Sequence, residues 1–183
     1  VKGTRVGIGI FDLCSRQSGN SISVKRKKEL TGRSWPNGCH VAEVEIDAET
    51  GEVRLDRYVS VDDVGNTVNP MIVHGQVQGG IASGLGQAVL ERTEYDASGQ
   101  LLSGSYMDYA LPRADDMPSL SGSLFEKAPC LTNPLGAKGT GEIGAVAGPP
   151  AIVHAVIDAL AEKGITQVDM PLQPQKIWEC LNR

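Results

Sequence analysis

Val41-Ala42-Glu43-Val44-Glu45-Ile46-Asp47 puts Ala42, Val44 and Ile46 on one face and Val41, Glu43, Glu45 and Asp47 on the other. That period of two belongs to a half-buried β-strand. After Thr50-Gly51, a turn pair, Val53, Leu55, Val59 and Val61 resume an apolar series, so the two stretches predict an antiparallel hairpin. Asn69-Pro70 then signals a helix start, with Asn as N-cap and Pro where its missing N–H is harmless, and the helix is expected to run to about Glu91. Short strands are expected at Thr93–Tyr95, Ser105–Leu111 and Ser123–Lys127. A second helix is expected to start at Pro149-Pro150, burying Ile152, Val156 and Leu160, and a last one to span Pro174–Asn182, burying Ile177, Trp178 and Leu181. Strands and helices are segregated rather than alternating, so the class is α+β, an antiparallel or mixed sheet with packed helices.

The residues before the hairpin show little periodicity. Residues 1–34 are read as a linker or processed N-terminal segment, with the basic run Lys25–Lys28 as solvated chain, and residues 35–183 as the ordered part. A net charge of -5 and a pI near 5.2 argue against a nucleic-acid surface, which needs clustered cations to neutralise phosphates. No apolar stretch approaches the ~20 residues that span a bilayer, and the chain reads as cytoplasmic. The cysteines, Cys14, Cys39, Cys130 and Cys180, form no C-x-x-C pair, and His40, His74 and His154 are scattered and read as structural. No metal site built from protein ligands is expected.

Two glycine-rich stretches carry the chemistry. Gly75-Gln76-Val77-Gln78-Gly79-Gly80-Ile81-Ala82-Ser83-Gly84-Leu85-Gly86-Gln87 lies inside the first predicted helix, where each glycine costs roughly 1 kcal/mol against alanine. Either a second helix packs closely there, or a flat ligand approaches the backbone and meets the Gln76 and Gln87 amides. The second stretch, Leu135-Gly136-Ala137-Lys138-Gly139-Thr140-Gly141-Glu142-Ile143-Gly144, is a loop suited to presenting backbone N–H groups to an anion. It matches G-x-G-x-x-G formally. The dinucleotide reading is rejected because Asn133-Pro134 replaces the preceding strand and Pro149-Pro150 is expected to delay the helix.

Val61-Asp62-Asp63-Val64-Gly65, Val68-Asn69-Pro70, Gly75-Gln76-Val77-x-Gly79-Gly80, Met107-Asp108-Tyr109-x-x-Pro112, Gly136-Ala137-Lys138-Gly139-x-Gly141-Glu142 and Asp169-Met170-Pro171-Leu172 occur in this order. From about Trp35 to Asn182 they resemble the C-terminal part of the molybdopterin-binding large subunit of the xanthine dehydrogenase and aldehyde oxidase family. The likeness is nearest to the aerobic carbon monoxide dehydrogenase type. Ser83 stands where many relatives carry Gln, and Asn37 where an aromatic often precedes Gly-x-His.

The resemblance implies a molybdenum-molybdopterin cofactor in its cytosine dinucleotide form, held by the pterin sulfurs rather than by protein His or Cys. Glu142 matches the base that deprotonates a water-derived nucleophile, whose oxygen then attacks an electrophilic substrate carbon; burial raising its pKa would suit that task. Gln76, Lys138, Gly139, Thr140 and Gly141 are implied to line the cofactor pocket, with Asp63 a further candidate. The implied partners are the remainder of the subunit, iron–sulfur and FAD subunits or domains, and a small-molecule substrate. A noncatalytic assembly or docking module of the same fold is the alternative, and retention of Glu142 favours the enzyme.

Overall fold

The hairpin forms as strands β1 (Asn37–Ile46) and β2 (Val53–Asp63), antiparallel, in a computed structural model that describes residues 2–27, 29 and 32–182. Lys28, the end of the basic run, and Leu30 and Thr31, within the expected linker, lie outside the described residues. The chain divides into two units, Val1–Thr31 and Gly32–Arg183. The first holds a short helix, α1 (Ile10–Ser15), with no buried residue.

The hairpin register contains one irregularity with large consequences. Glu43 faces Arg57 but Val44 faces Leu55, so Asp56 is an extra residue in β2. A bulge of this kind moves the following side chains to the opposite face. Val53 and Leu55 point into the core as expected, but beyond the bulge Tyr58, Ser60 and Asp62 are buried, while Val59 and Val61 are 38% and 42% exposed. The expectation that Val59 and Val61 build the core is therefore corrected. A third strand, β3 (Ser119–Leu124), pairs with β2 in parallel and completes a mixed sheet of order β1-β2-β3.

The strand expected at Ser123–Lys127 thus lies earlier in the chain. The one expected at Ser105–Leu111 does not form. Ser105 Oγ bonds the Asp108 carboxylate at 2.6 Å and accepts the Met107 N–H, offering the backbone a turn in place of a ladder. Thr93–Tyr95 keeps only the single bridge of Tyr95 to Leu101.

Helix α2 (Pro70–Leu85) starts as expected, with the Asn69 side chain accepting the Ile72 N–H, and continues through a π-helical turn at Gly86–Leu90. Helix α3 (Ile143–Ala159) begins six residues before Pro149, so both prolines lie inside it. Their missing donors forfeit helix bonds. Close packing compensates: a Cβ at Gly84 would lie 2.9 Å from Pro149 Cδ and 3.0 Å from Gly148 Cα, and one at Gly80 would lie 2.8 Å from Gly144 Cα and from Ala145 N. The helices meet backbone to backbone, which only glycine allows.

The early start also means that a helix does open within Gly139–Gly144. What separates this loop from a dinucleotide fingerprint is the missing strand ahead of it, since Ala137 makes only an isolated bridge to Gly65. Ile81, Ile152, Val156 and Leu172 fill the space between helices and sheet. The last helix, α4 (Pro174–Leu181), buries Ile177 and Cys180, one turn apart, and leaves Trp178 44% exposed rather than buried. Trp178 instead lies against the hairpin turn at Gly51. Among the described residues no helix is long and apolar enough to cross a membrane.

The glycines of α2 thus divide. Gly80 and Gly84 serve helix packing, whereas a Cβ at Gly75 or Gly79 would meet nothing within 4 Å. Gly80→Val is expected to destabilise the chain by at least ~2 kcal/mol, because the obstructing atoms are backbone and cannot rotate away. Gly79→Val should change stability by no more than about 0.5 kcal/mol. Thermal unfolding followed by circular dichroism separates the two; equal melting temperatures would refute the division.

Candidate functional site

Beside the N-terminus of α3 lies a cavity of about 630 Å³. One wall is the approach to β1, with Trp35, Pro36, Asn37, Gly38 and His40, and the other is formed by Gly139, Gly141, Glu142, Ile143 and Val146. The loop wall is held to the end of β2 by a short antiparallel contact. Lys138 N–H donates to the Val64 carbonyl at 2.7 Å, and Asn66 N–H donates to that of Gly136 at 2.9 Å. The Asn66 and Asn133 side-chain amides cap the Leu135 and Ala137 carbonyls.

Glu142 occupies the N-cap position of α3, yet its side chain makes no capping hydrogen bond. Glu142 lines the cavity and is exposed, so the burial expected for it is not supplied by this chain. Gln76 reaches across from α2, its Nε2 donating to the Gly141 carbonyl at 3.4 Å. The close packing of α2 on α3 brings these two stretches together from 65 residues apart in the chain.

Lys138 and Asp63, both expected to face a cofactor, face each other: Nζ lies 2.6 Å from Oδ2, with side chains 11% and 12% exposed. Burial pushes the Asp63 carboxyl up. The Lys138 hydrogen bond, the Gly65 N–H, the Lys138 charge and the Asn37 amide outweigh it and hold the group below the usual carboxylate range. The pair is therefore intact at neutral pH and loosens as acid protonates Asp63. Thr140 lies with Lys138 along a separate, smaller cavity with Asn69 and Ile72. Of the expected residues, the structure brings together Gln76, Gly139, Gly141 and Glu142.

Sequence reasoning missed a buried polar chain. His40 Nε2 is 2.9 Å from Asp62 Oδ1, and His40 Nδ1 is 2.9 Å from the Tyr58 hydroxyl. The His40 and Asp62 side chains are almost fully buried. Burial, then the Asp62 charge, push the Tyr58 phenol well above its ordinary range. Tyr58 keeps its proton and donates to Nδ1, which in the neutral imidazole leaves Nε2–H to donate to Asp62. The only sequence signal was that Tyr58, Ser60 and Asp62 alternate, and the bulge concealed which face they take.

A molybdopterin group can be tested against this surface. A Cβ at Gly75, Gly79, Gly139 or Gly141 would meet nothing within 4 Å, so packing within the chain does not require these glycines. Among the described residues the N–H groups of Gly139, Thr140 and Gly141 have no hydrogen-bond partner. A bare backbone with free donors, flanked by one amide and one carboxylate, fits a flat, polar, anionic group. Among the described residues no cluster of His, Cys, Asp and Glu could itself hold a metal ion.

The molybdopterin cofactor-binding domain family matches residues 14–118, a span that stops before the Glu142 loop. Over 148 residues the chain is 37% identical to the carbon monoxide dehydrogenase large chain of Hydrogenophaga pseudoflava, covering 81% of this chain and 18% of that protein. It is 38% identical over 143 residues to the nicotine 6-hydroxylase large subunit of Paenarthrobacter nicotinovorans, covering 78% of this chain and 17% of that subunit. Quinoline 2-oxidoreductase from Pseudomonas putida 86 superposes with a TM-score of 0.78 at 40% identity, over 81% of this chain and 19% of that one. The chain thus spans less than a fifth of these relatives, and it belongs to the molybdopterin cofactor-binding domain family of molybdenum hydroxylase large subunits.

Proposed function

We propose that this chain is the C-terminal segment of the large subunit of a molybdenum-dependent hydroxylase, in which Glu142 is the general base. The observation that carries the reading is Glu142 on a cavity wall, its side chain making no capping hydrogen bond, beside the bare backbone of Gly139–Gly141 and the Gln76 amide. The bound cofactor supplies an oxidising centre that accepts two electrons. This chain's residues supply position and proton transfer. Glu142 accepts the proton released as a water-derived oxygen joins the substrate carbon, and one of its oxygens holds it until it passes to solvent. Gly139, Thr140 and Gly141 offer N–H donors to the pterin or its phosphates, and Gln76 both steadies the Gly141 carbonyl and presents its amide along the same surface.

Lys138 and Asp63 support that surface from behind as an ion pair. The cofactor in this reading is the cytosine dinucleotide form. The substrate is an aldehyde, an N-heterocycle or a small carbonyl-like molecule such as carbon monoxide, in keeping with the names of the relatives. Electrons leave through iron–sulfur and FAD partners in a cytoplasmic complex. Enclosure of Glu142 comes from the remainder of the subunit.

Two outcomes are expected. In the complete enzyme, Glu142→Gln lowers turnover by at least ~10²-fold while molybdenum content stays near that of the parent, because Gln keeps the shape and hydrogen bonds but cannot take the proton. Steady-state rates with metal quantified in the same preparation provide the check, and an unimpaired, fully loaded variant removes Glu142 from the mechanism. The isolated 183-residue chain is expected to retain no molybdenum, because its site is open on one side; equimolar metal after gel filtration would contradict this.

A further inference from the structure

Asp62 and Asp63 are adjacent on β2, so their side chains leave opposite faces of the sheet. Asp62 grips the β1 wall of the Glu142 cavity, and Asp63 grips the loop wall while also accepting the Asn37 amide of the β1 wall. Asp62, on the buried face, holds His40 of the β1 wall at 2.9 Å. Asp63, on the other face, holds Lys138 at 2.6 Å, immediately ahead of the Gly139–Glu142 wall. The strand register matches, because Gly38 faces Asp62 and Asn37 faces Asp63. A Cβ at Gly38 would lie 2.7 Å from Asp62 Oδ1, so the strand approaches this carboxylate as closely as a backbone can.

Both pairs are desolvated: the Asp62 and His40 side chains are 1% and 2% exposed, and those of Asp63 and Lys138 12% and 11%. Exposed ion pairs tolerate loss cheaply, but the shielded Asp63–Lys138 pair leaves a stranded charge when it loses a partner, and loss of the buried Asp62–His40 hydrogen bond leaves a polar group unpaired. Neither carboxylate lines the cavity itself. We infer that Asp62 and Asp63 are positioning residues which together set the separation of the two walls and thereby the placement of Glu142. This rests on the reading of Glu142 as base, and it assigns Lys138 to a structural pair rather than to direct contact with a pterin phosphate.

The test has two readouts. In the 183-residue chain, amide hydrogen exchange is compared for Asp63→Asn, Lys138→Met and Asp62→Asn; Lys138→Met removes the same pair from the loop side should Asp63→Asn fail to fold. Loss of the Lys138 pair is expected to speed exchange roughly tenfold at Asn66 and Lys138, whose N–H groups bond across the latch, and not at Val77 or Ile81 in α2. Asp62→Asn is expected to do the same for residues 38–41 of β1.

In the complete enzyme, assayed with quinoline, nicotine and carbon monoxide as probes, each variant is expected to lower kcat per bound molybdenum at least ~10-fold, since misplacement near 1 Å costs that or more. KM should stay within about twofold, and Lys138→Arg, which keeps the ion pair, should recover most of the rate. Unchanged exchange overturns the inference, and so does faster exchange with unchanged kcat per molybdenum. Either result with an inactive Glu142→Gln enzyme leaves the base assignment standing; a fully active Glu142→Gln enzyme is the separate outcome that removes both.

Discussion

The contact on which the rest of this structure depends is between two backbones. Helices α2 and α3 meet at Gly80, Gly84, Gly144 and Gly148, where side-chain atoms on either helix would collide with main chain on the other. Ordinary helix pairs sit 8–10 Å apart because side chains interdigitate between them. Here the spacers are gone. The consequence is local to the site: Gly144 is the second residue of α3, so the contact seats the N-terminus of that helix, and with it Glu142, beside the middle of α2 where Gln76 projects. Two prolines inside α3 are tolerated in the same place, one of them seated against the gap left by Gly84.

The second constraint is the bulge at Asp56. Without it, β2 would carry Val59 and Val61 into the core, and the sheet would be apolar throughout its inner face. With it, Tyr58, Ser60 and Asp62 are turned inward, and a carboxylate is buried with histidine as its partner. Burying a charge costs several kcal/mol unless it is paired. Asp62 Oδ2 and Ser60 Oγ have no partner among the described residues, so the arrangement is not the most stable filling of that space. Polar groups retained at such a cost, next to a cavity, accord with a role in placing the cavity wall rather than in holding the fold.

Much of this was legible in the sequence, and the exceptions have physical causes. The hairpin, its Thr50-Gly51 turn and the Asn69-Pro70 helix start are local signals, and local structure obeys them. Convergence of Gln76 with the Gly139–Glu142 loop was anticipated only through resemblance, since no local rule joins residues 65 positions apart. Three things were hidden. A bulge adds one residue to a strand without any composition cue, so the inward face of β2 beyond Asp56 was read in the wrong phase. Prolines signal helix starts, but Pro149 and Pro150 sit within a helix whose packing outweighs their lost bonds. Asp63 and Lys138 were each read alone, and no local rule announces that residues 75 positions apart form an ion pair.

The glycines divide by what comes near them. One rule, that glycine permits close approach, applies to every one of them, yet the approaching group differs. At Gly80, Gly84, Gly144 and Gly148 it is already present as the facing helix. At Gly75, Gly79, Gly139 and Gly141 a Cβ would meet nothing within 4 Å, and these positions flank Gln76 or closely precede Glu142 in sequence. Helix propensity opposes Gly75 and Gly79 by roughly 1 kcal/mol each, with no packing return inside the chain. Bare positions beside Gln76 and Glu142, with an ion pair and a buried histidine behind the two cavity walls, accord with the proposed reading of this region as part of a cofactor site.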